Sequence, residues 1–407
     1  MRSSECPVCG GLEVKTIFMW ERVPVFCNVL HETREQALRA ERAAMRLVVC
    51  HRCGFIHNAA FEPQKAQYGP HYGNPLSASP HFRKYATRIA EELIRKYDLY
   101  GKEIIEIGCG DGYFLRLLCD IGRNRGIGFD PSCDPRSASA DQEVSGVRIV
   151  ADTYSRQHEQ HHPALVCCRH VLEHIHDPLG FLKGLRRTLD GRNECIVFFE
   201  VPDARHTFLR GAIWDILYEH CNYFARESLE WVFEAAGFEV LQTCERYEGQ
   251  FLTIEGRPAC VAKSHGEKAG ESGDMRSPCA EFQDLFQRTV DSWRMRFADW
   301  HERRRQIVAW GAGTKGIMFL NVLGLSYDTL GCVVDIHPRK QGKFIPGTGQ
   351  EIIGPPSLTR HRPDTIIVMN PLYLREIQGI AVRYLADVTF VSASDAACPA
   401  PAACGTG

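Results

Sequence analysis

Four cysteines carry the first chemical signal in the chain. They form two pairs, Cys6-Pro-Val-Cys9 and Cys50-His-Arg-Cys53, with 40 residues between the pairs and a glycine after each. Each pair can form a turn that aims both sulfurs inward, so together they supply four thiolates to one tetrahedral zinc ion. Such a set leaves no open coordination position, so the zinc is expected to fold its module and not to catalyse. Cys27 and His51 lie nearby in sequence, but neither completes a pair.

A different chemistry is suggested by Glu106-Ile-Gly108-Cys-Gly110-Asp-Gly112, which follows an apolar run and opens a helix near Tyr113. Glycines at the carboxyl end of a first strand let the backbone approach a ligand closely. The dinucleotide fingerprint would place its third glycine where Tyr113 stands, which argues against NAD at this loop. Some 20 residues on, Asp130 ends a second apolar run and can accept hydrogen bonds from both ribose hydroxyls. Asp152, after a third run, is placed to meet an adenine amino group.

These residues, followed by Arg169-His170-Val-Leu-Glu173-His174-Ile-His-Asp177-Pro178 and Glu200-Val-Pro202, resemble class I S-adenosylmethionine-dependent methyltransferases. The resemblance implies S-adenosylmethionine as cofactor, held by Glu106, Gly108, Gly110, Gly112, Asp130, Asp152 and His170. Taken over nearly the full length, the chain is similar to the zinc-binding, three-domain C-methyltransferases that act on nucleotide-linked deoxysugars. The run from Val334 to Gly347 and the pair Lys315-Gly316 carry that part of the likeness. It implies that a base removes a proton beside a carbonyl and that the enolate attacks the sulfonium methyl. Within Tyr218-Glu219-His220, the histidine is the candidate base and Glu219 the carboxylate that orients it. Tyr72 and His174 are candidates for positioning the acceptor or stabilising enolate charge.

Three departures keep O- and N-methylation of a natural-product or polysaccharide intermediate open. Where the sugar enzymes show Tyr-His-Glu-His, this chain has Leu217-Tyr218-Glu219-His220. Gly311-Ala-Gly313-Thr-Lys315-Gly316 replaces a Gly-Ala-Pro-Ala-Lys-Gly loop, and Met369-Asn370-Pro371-Leu372 replaces Leu-Pro-Trp-Asn. The Gly311 loop also fits GxGxxG with an acid, Asp335, about 20 residues later, so an NAD-dependent oxidoreductase is the competing class. A platform for a phosphate-bearing substrate, with Lys315 as the phosphate contact, is the preferred reading of that loop.

Apolar runs alternating with helical stretches must position these groups, a pattern that indicates a mostly parallel sheet covered by helices. The expected fold class is α/β: an N-terminal zinc-binding module, a central Rossmann-like seven-stranded methyltransferase sheet and a smaller C-terminal Rossmann-like domain. Its strands are expected at 103–107, 126–129, 147–150, 165–168, 195–201, 238–244 and 257–263, then at 306–310, 332–335, 365–369 and 388–391. Helices are expected over 32–46, 80–96 and 280–304. The expected division is a four-cysteine zinc-binding module over residues 1–66, the methyltransferase domain over 67–264, a linker and helix over 265–304, the C-terminal domain over 305–393 and a disordered tail over 394–407.

With 407 residues, 44% apolar and 24% charged, the composition is that of a globular protein able to bury a core. A net charge of -2 gives no reason to expect nucleic acid or an anionic membrane as partner. No apolar run reaches the roughly 18 residues that span a bilayer, and the start lacks a signal-peptide core. The chain therefore reads as cytoplasmic, as a monomer or homodimer, with a small-molecule acceptor. The 18 cysteines are then expected as metal ligands or small core residues, not as a disulfide framework.

Overall fold

A computed structural model describes residues 5–69, 72–73, 76–133, 146–260 and 275–395. Contacts sort the chain into two units, one of residues 1–25, 43–210 and 218–280, the other of 26–42, 211–217 and 281–407. The backbone thus passes between the units five times. Part of the stretch expected as the zinc module, residues 26–42, is grouped with the carboxyl-terminal unit.

The first unit opens with β1 (Val14–Pro24); α1 (Arg34–Leu38) belongs to the second unit and β2 (Arg42–Cys50) returns the chain. With β3 (Ile56–Asn58) and the two-residue β9 (Asn222–Tyr223), they form a sheet of order β1-β2-β3-β9. The helix expected over 32–46 is corrected here to one short helix and the start of a strand. Alanine, glutamate and arginine favour helix, but Ala43, Met45 and Leu47 alternate into the core, and that burial overrides the local preference.

A seven-stranded sheet follows. Its members are β4 (Glu103–Ile107), β5 (Arg125–Phe129), β6 (Val147–Val150), β7 (Leu165–Arg169), β8 (Ile196–Pro202), β10 (Phe238–Arg246) and β11 (Phe251–Pro258), in the order β10-β11-β8-β7-β4-β5-β6. β4 to β8 run parallel, and β11 is antiparallel to both its neighbours. Strand order reverses between β4 and β7, the crevice at which open α/β sheets bind ligands. α2 (Pro80–Lys96) is capped by Ser79, whose hydroxyl accepts from the His81 and Phe82 amides, and its buried stripe includes Phe82, Tyr85, Ile89 and Leu93. α3 (Tyr113–Gly122), α4 (Pro178–Thr188), α5 (Ala204–Leu209) and α6 (Arg226–Ala235) complete the unit.

The strand expected at 257–263 lies six residues earlier, at 251–258, and residues 261–263 are outside the described residues. Thr253 and Glu255 disguise it as a polar segment, yet both are buried, and Glu255 takes hydrogen bonds from Lys96 and Tyr97.

In the second unit, α7 (Arg276–Glu302) leads to an all-parallel sheet of β12 (Ile307–Trp310), β13 (Cys332–Val334), β14 (Glu351–Ile353), β15 (Thr365–Val368) and β16 (Thr389–Ser392). Its order, β14-β13-β12-β15-β16, includes one short strand that the sequence pattern missed. α8 (Thr314–Leu323), α9 (Leu358–His361) and α10 (Leu374–Ala381) connect these strands. Two remote segments belong to this unit. Trp214 donates to the Ala393 carbonyl at 3.1 Å and packs on Phe319, while Arg34 and Arg42 donate to the Gly349 and Gly347 carbonyls. The tail expected over 394–407 falls, from residue 396 on, outside the described residues. Among the described residues no helix is long and apolar enough to cross a membrane.

Candidate active site

The loop after β4 turns on three glycines in the left-handed region, with φ of +70° at Gly108, +54° at Gly110 and +74° at Gly112. A side chain at Gly108 would place its Cβ 2.2 Å from a Val171 methyl, so the loop closes against the β7 loop only because that position is bare. Around Gly110 nothing lies within 4 Å of such an atom, leaving open space over the loop. Asp130 latches the loop: one carboxylate oxygen accepts from the Gly110 amide at 2.8 Å, the other from the Ser132 amide and hydroxyl. Asp152 holds its own turn, accepting from Thr153 and Gln157. Glu106, 3% exposed, keeps one carboxyl oxygen without a hydrogen-bond partner. Burial lifts its pKa to about 8 against the pull of Arg169.

At the adjoining ends of β7 and β8 lies a buried ionic network. Glu200 is fully enclosed, yet Arg169 places two guanidinium nitrogens on one of its oxygens at 2.7 and 3.1 Å and Tyr85 donates to the other. Burial alone would raise this carboxyl, but the Arg169 charge, His170 and Tyr85 outweigh it and hold its pKa at about 2. The Arg169 guanidinium also sits 4.1 Å from the Phe114 ring centre. His170 is strained, with φ +55°, and its Nε2 lies 2.9 Å from Glu200 while its ring stands edge-on to Phe251.

Next along the chain, a second cluster gathers. Ring nitrogens of His174 and His220 and a Glu173 carboxyl oxygen all lie within 4.8 Å of one another. Tyr68 Oη is 2.6 Å from His174 Nδ1, and the Glu219 carbonyl is 2.9 Å from the same nitrogen. A carbonyl can only accept, so this contact puts the hydrogen on Nδ1 and leaves Nε2 as an acceptor, 4.0 Å from Glu173 Oε1. Burial lowers the His174 pKa to about 4 and so keeps the ring neutral. The same burial, with Glu200 and Glu219 adding to it, lifts Glu173 to about 8. Tyr72 stands edge-on to Tyr68, and His220 edge-on to His174 at 4.8 Å between ring centres. Tyr218 accepts the Glu62 amide through its hydroxyl, and Glu219 is completely buried. A Glu173 carboxyl oxygen also lies near the His220 ring, in the Leu-Glu-His run, and it was not among the candidate residues read from the sequence. Tyr68 was missed as well, because it joins His174 across 106 residues from a Gly/Pro-rich connector.

In the carboxyl-terminal unit, Asp335 accepts from the Ala312 amide at 2.9 Å, the same latch that Asp130 applies to the Gly110 loop. Lys315, read above as a phosphate contact, gives its ammonium to both oxygens of Asp215 within its own unit.

Residues 80–243 match the family model described as a methyltransferase domain, and residues 259–391 match the model of the C-methyltransferase C-terminal domain. Across 389 residues, 92% of this chain and 91% of the relative, the sequence is 25% identical to C-methyltransferase NovU of Streptomyces niveus. The chain is a class I S-adenosylmethionine-dependent C-methyltransferase. A tRNA U34 carboxymethyltransferase of Campylobacter hominis is 30% identical to this methyltransferase over 107 residues, 24% of the chain and 35% of that protein. A solved S-adenosylmethionine-dependent methyltransferase from Clostridium acetobutylicum aligns with 46% of the chain and 95% of its own, at 12% identity and a TM-score of 0.37. Because the matched carboxyl-terminal model is itself part of a methyltransferase family, the oxidoreductase reading of the Gly311 loop is set aside.

The residues of the methyltransferase fit its cofactor. The bare glycine loop leaves room at Gly110, and the partnerless Glu106 oxygen can take up a cationic ammonium. The four cysteines also fit a metal: Cys6 and Cys53 sulfurs are 3.6 Å apart and those of Cys9 and Cys50 3.5 Å, with all four within 4.8 Å of one another. Zinc–sulfur bonds of about 2.3 Å in a tetrahedron require sulfurs about 3.8 Å apart, close to this spacing.

Proposed function

We propose that this methyltransferase transfers its methyl group to a carbon beside a carbonyl in a small, sugar-like acceptor linked to a nucleotide or phosphate. The observation that carries the reading is the grouping of His174, His220 and Glu173 within 4.8 Å at the carboxyl ends of the parallel strands. Likeness to NovU over nearly the whole of both chains supports carbon as the methylated atom. When bound, S-adenosylmethionine supplies an electrophilic methyl group. Glu106, the Gly108–Gly112 loop, Asp130, Asp152 and His170 are the residues proposed to hold it.

His220 takes the acceptor's proton. Its neighbour His174 is held neutral and too weakly basic for that task, and with Nδ1 committed to Tyr68 and Glu219 it orients the pair. Tyr72 flanks the acceptor across Tyr68. The Cys6, Cys9, Cys50 and Cys53 cluster holds a structural zinc that anchors the amino-terminal sheet.

Incubation with a panel of nucleotide sugars and phosphorylated metabolites, followed by mass spectrometry and carbon-resolved NMR of the product, tests the acceptor class. A product methylated on oxygen or nitrogen overturns the carbon assignment. His220→Ala is expected to abolish turnover while S-adenosylhomocysteine affinity, measured by calorimetry, survives. Turnover within a few fold of wild type would place the base elsewhere.

A further inference from the structure

Glu173 is a carboxyl that neither the cofactor loop nor the base uses, and its surroundings are specific. It is 2% exposed, and its Oε2 has no hydrogen-bond partner. Its other oxygen stands 3.8 Å from His170 Nδ1 and 4.0 Å from His174 Nε2, beyond hydrogen-bond reach of both. A buried polar oxygen left without a partner costs stability unless something satisfies it, and the carboxyl that carries it lies within 4.8 Å of a His220 ring nitrogen. The groups facing it are His170, His174 and His220, the carboxylates of Glu200 and Glu219, and the Cys221 thiol, which donates to the Glu173 carbonyl. Glu200, held ionised by Arg169, cannot donate a hydrogen bond, and Glu200 and Glu219 both oppose a charge on Glu173.

We infer that Glu173 is a further catalytic residue, which stays protonated and donates a hydrogen bond to the acceptor's carbonyl oxygen as that oxygen becomes an enolate. This role rests on the enolising reaction proposed above. The C–H bond beside the carbonyl breaks and its proton goes to His220. The electron pair left on carbon forms the C=C bond, and the carbonyl π pair moves onto oxygen. Glu173 keeps its O–H bond and shares the hydrogen with that oxygen. A donor aimed at developing charge in a water-poor site is worth about 10²- to 10³-fold in rate. Burial that holds the carboxyl neutral near pH 7 is the condition the role requires.

Enolisation can be read without methyl transfer. With S-adenosylhomocysteine present, exchange of the α-proton of thymidine diphosphate 4-keto-6-deoxyglucose into D2O is followed by NMR for wild type, Glu173→Gln and Glu173→Ala. The Ala variant is expected to exchange about 100-fold more slowly. The Gln variant, which keeps an N–H donor in the same shape, should stay within about tenfold of wild type. Wild-type exchange should also decline as pH rises through the titration of Glu173, and that limb should vanish in Glu173→Gln. Exchange by Glu173→Ala at the wild-type rate overturns the role, as does a Gln variant as slow as the Ala variant, since the ionised carboxylate would then be the active form. Should the Ala variant fold poorly, the infrared spectra of wild type and Glu173→Gln at pH 7 decide. A protonated-carboxyl C=O band that Glu173→Gln removes supports the role, and its absence from the difference spectrum overturns it. If wild type does not exchange the probe at all, the acceptor reading fails and takes this role with it; if wild type exchanges and only the variants behave otherwise, this role alone fails.

Discussion

Glu200 and Glu173 lie in one polar tract but answer to pH in opposite ways. Glu200 is held at about 2, below the unfolded value near 4.3, so it contributes stability above pH 4.3 that is lost as pH falls toward 2. Removing its main partner exposes the arrangement: Arg169→Met leaves an enclosed carboxylate with only Tyr85 and His170 beside it and should cost about 3–5 kcal/mol in urea unfolding at pH 7. Glu106 and Glu173, lifted to about 8, keep protons that the unfolded chain releases above pH 4.3. Their contribution to stability therefore falls steadily between about pH 4.3 and 8. Melting temperatures of the cofactor-free protein should decline from pH 5 to 8, and Glu173→Gln should flatten that slope; an unchanged slope would show that the carboxyl ionises freely. The resemblance singled out His174 and His220, and the structure brings their ring nitrogens within 4.8 Å of each other. Tyr68 and Glu200 were out of reach, because their roles exist only once β7, β8 and the connector meet.

Elements were legible where local and tertiary preferences agree. Ser79 followed by Pro80 and an apolar stripe marks α2 to its end residues, and glycines after an apolar run mark the β4–α3 turn. Where they disagree, as in β2 and β11, burial of a face or of a charged side chain decided the outcome. The same turn gives a sharp test. Gly108→Ala must place a side chain at φ +70° and 2.2 Å from Val171, a strain of about 1–3 kcal/mol felt at the loop. Calorimetry should show S-adenosylhomocysteine affinity reduced about 10- to 100-fold, with no loss of zinc. Equal affinity would mean that the loop does not touch the cofactor.

Over the whole molecule, the order of a methyltransferase domain before a C-terminal domain was readable, but the physical grouping was not, since residues 26–42 and 211–217 fold with a sheet that begins near residue 307. Cys50→Ser should release one equivalent of zinc by elemental analysis and lower the soluble yield; full zinc content in that variant would rule the site out. A fragment ending at residue 264 should aggregate, because Trp214, 5% exposed, and Arg34 lose their partners at Phe319 and Gly349. Solubility and a cooperative melt for that fragment would show that the crossing segments are dispensable. The five crossings also bear on how such enzymes can be recombined. A single splice between two relatives, anywhere from residue 43 to residue 280, would leave at least one crossing segment from one parent matched to a body from the other. Exchange of the rear unit therefore calls for three stretches of coding sequence, residues 26–42, 211–217 and 281–407, to travel together.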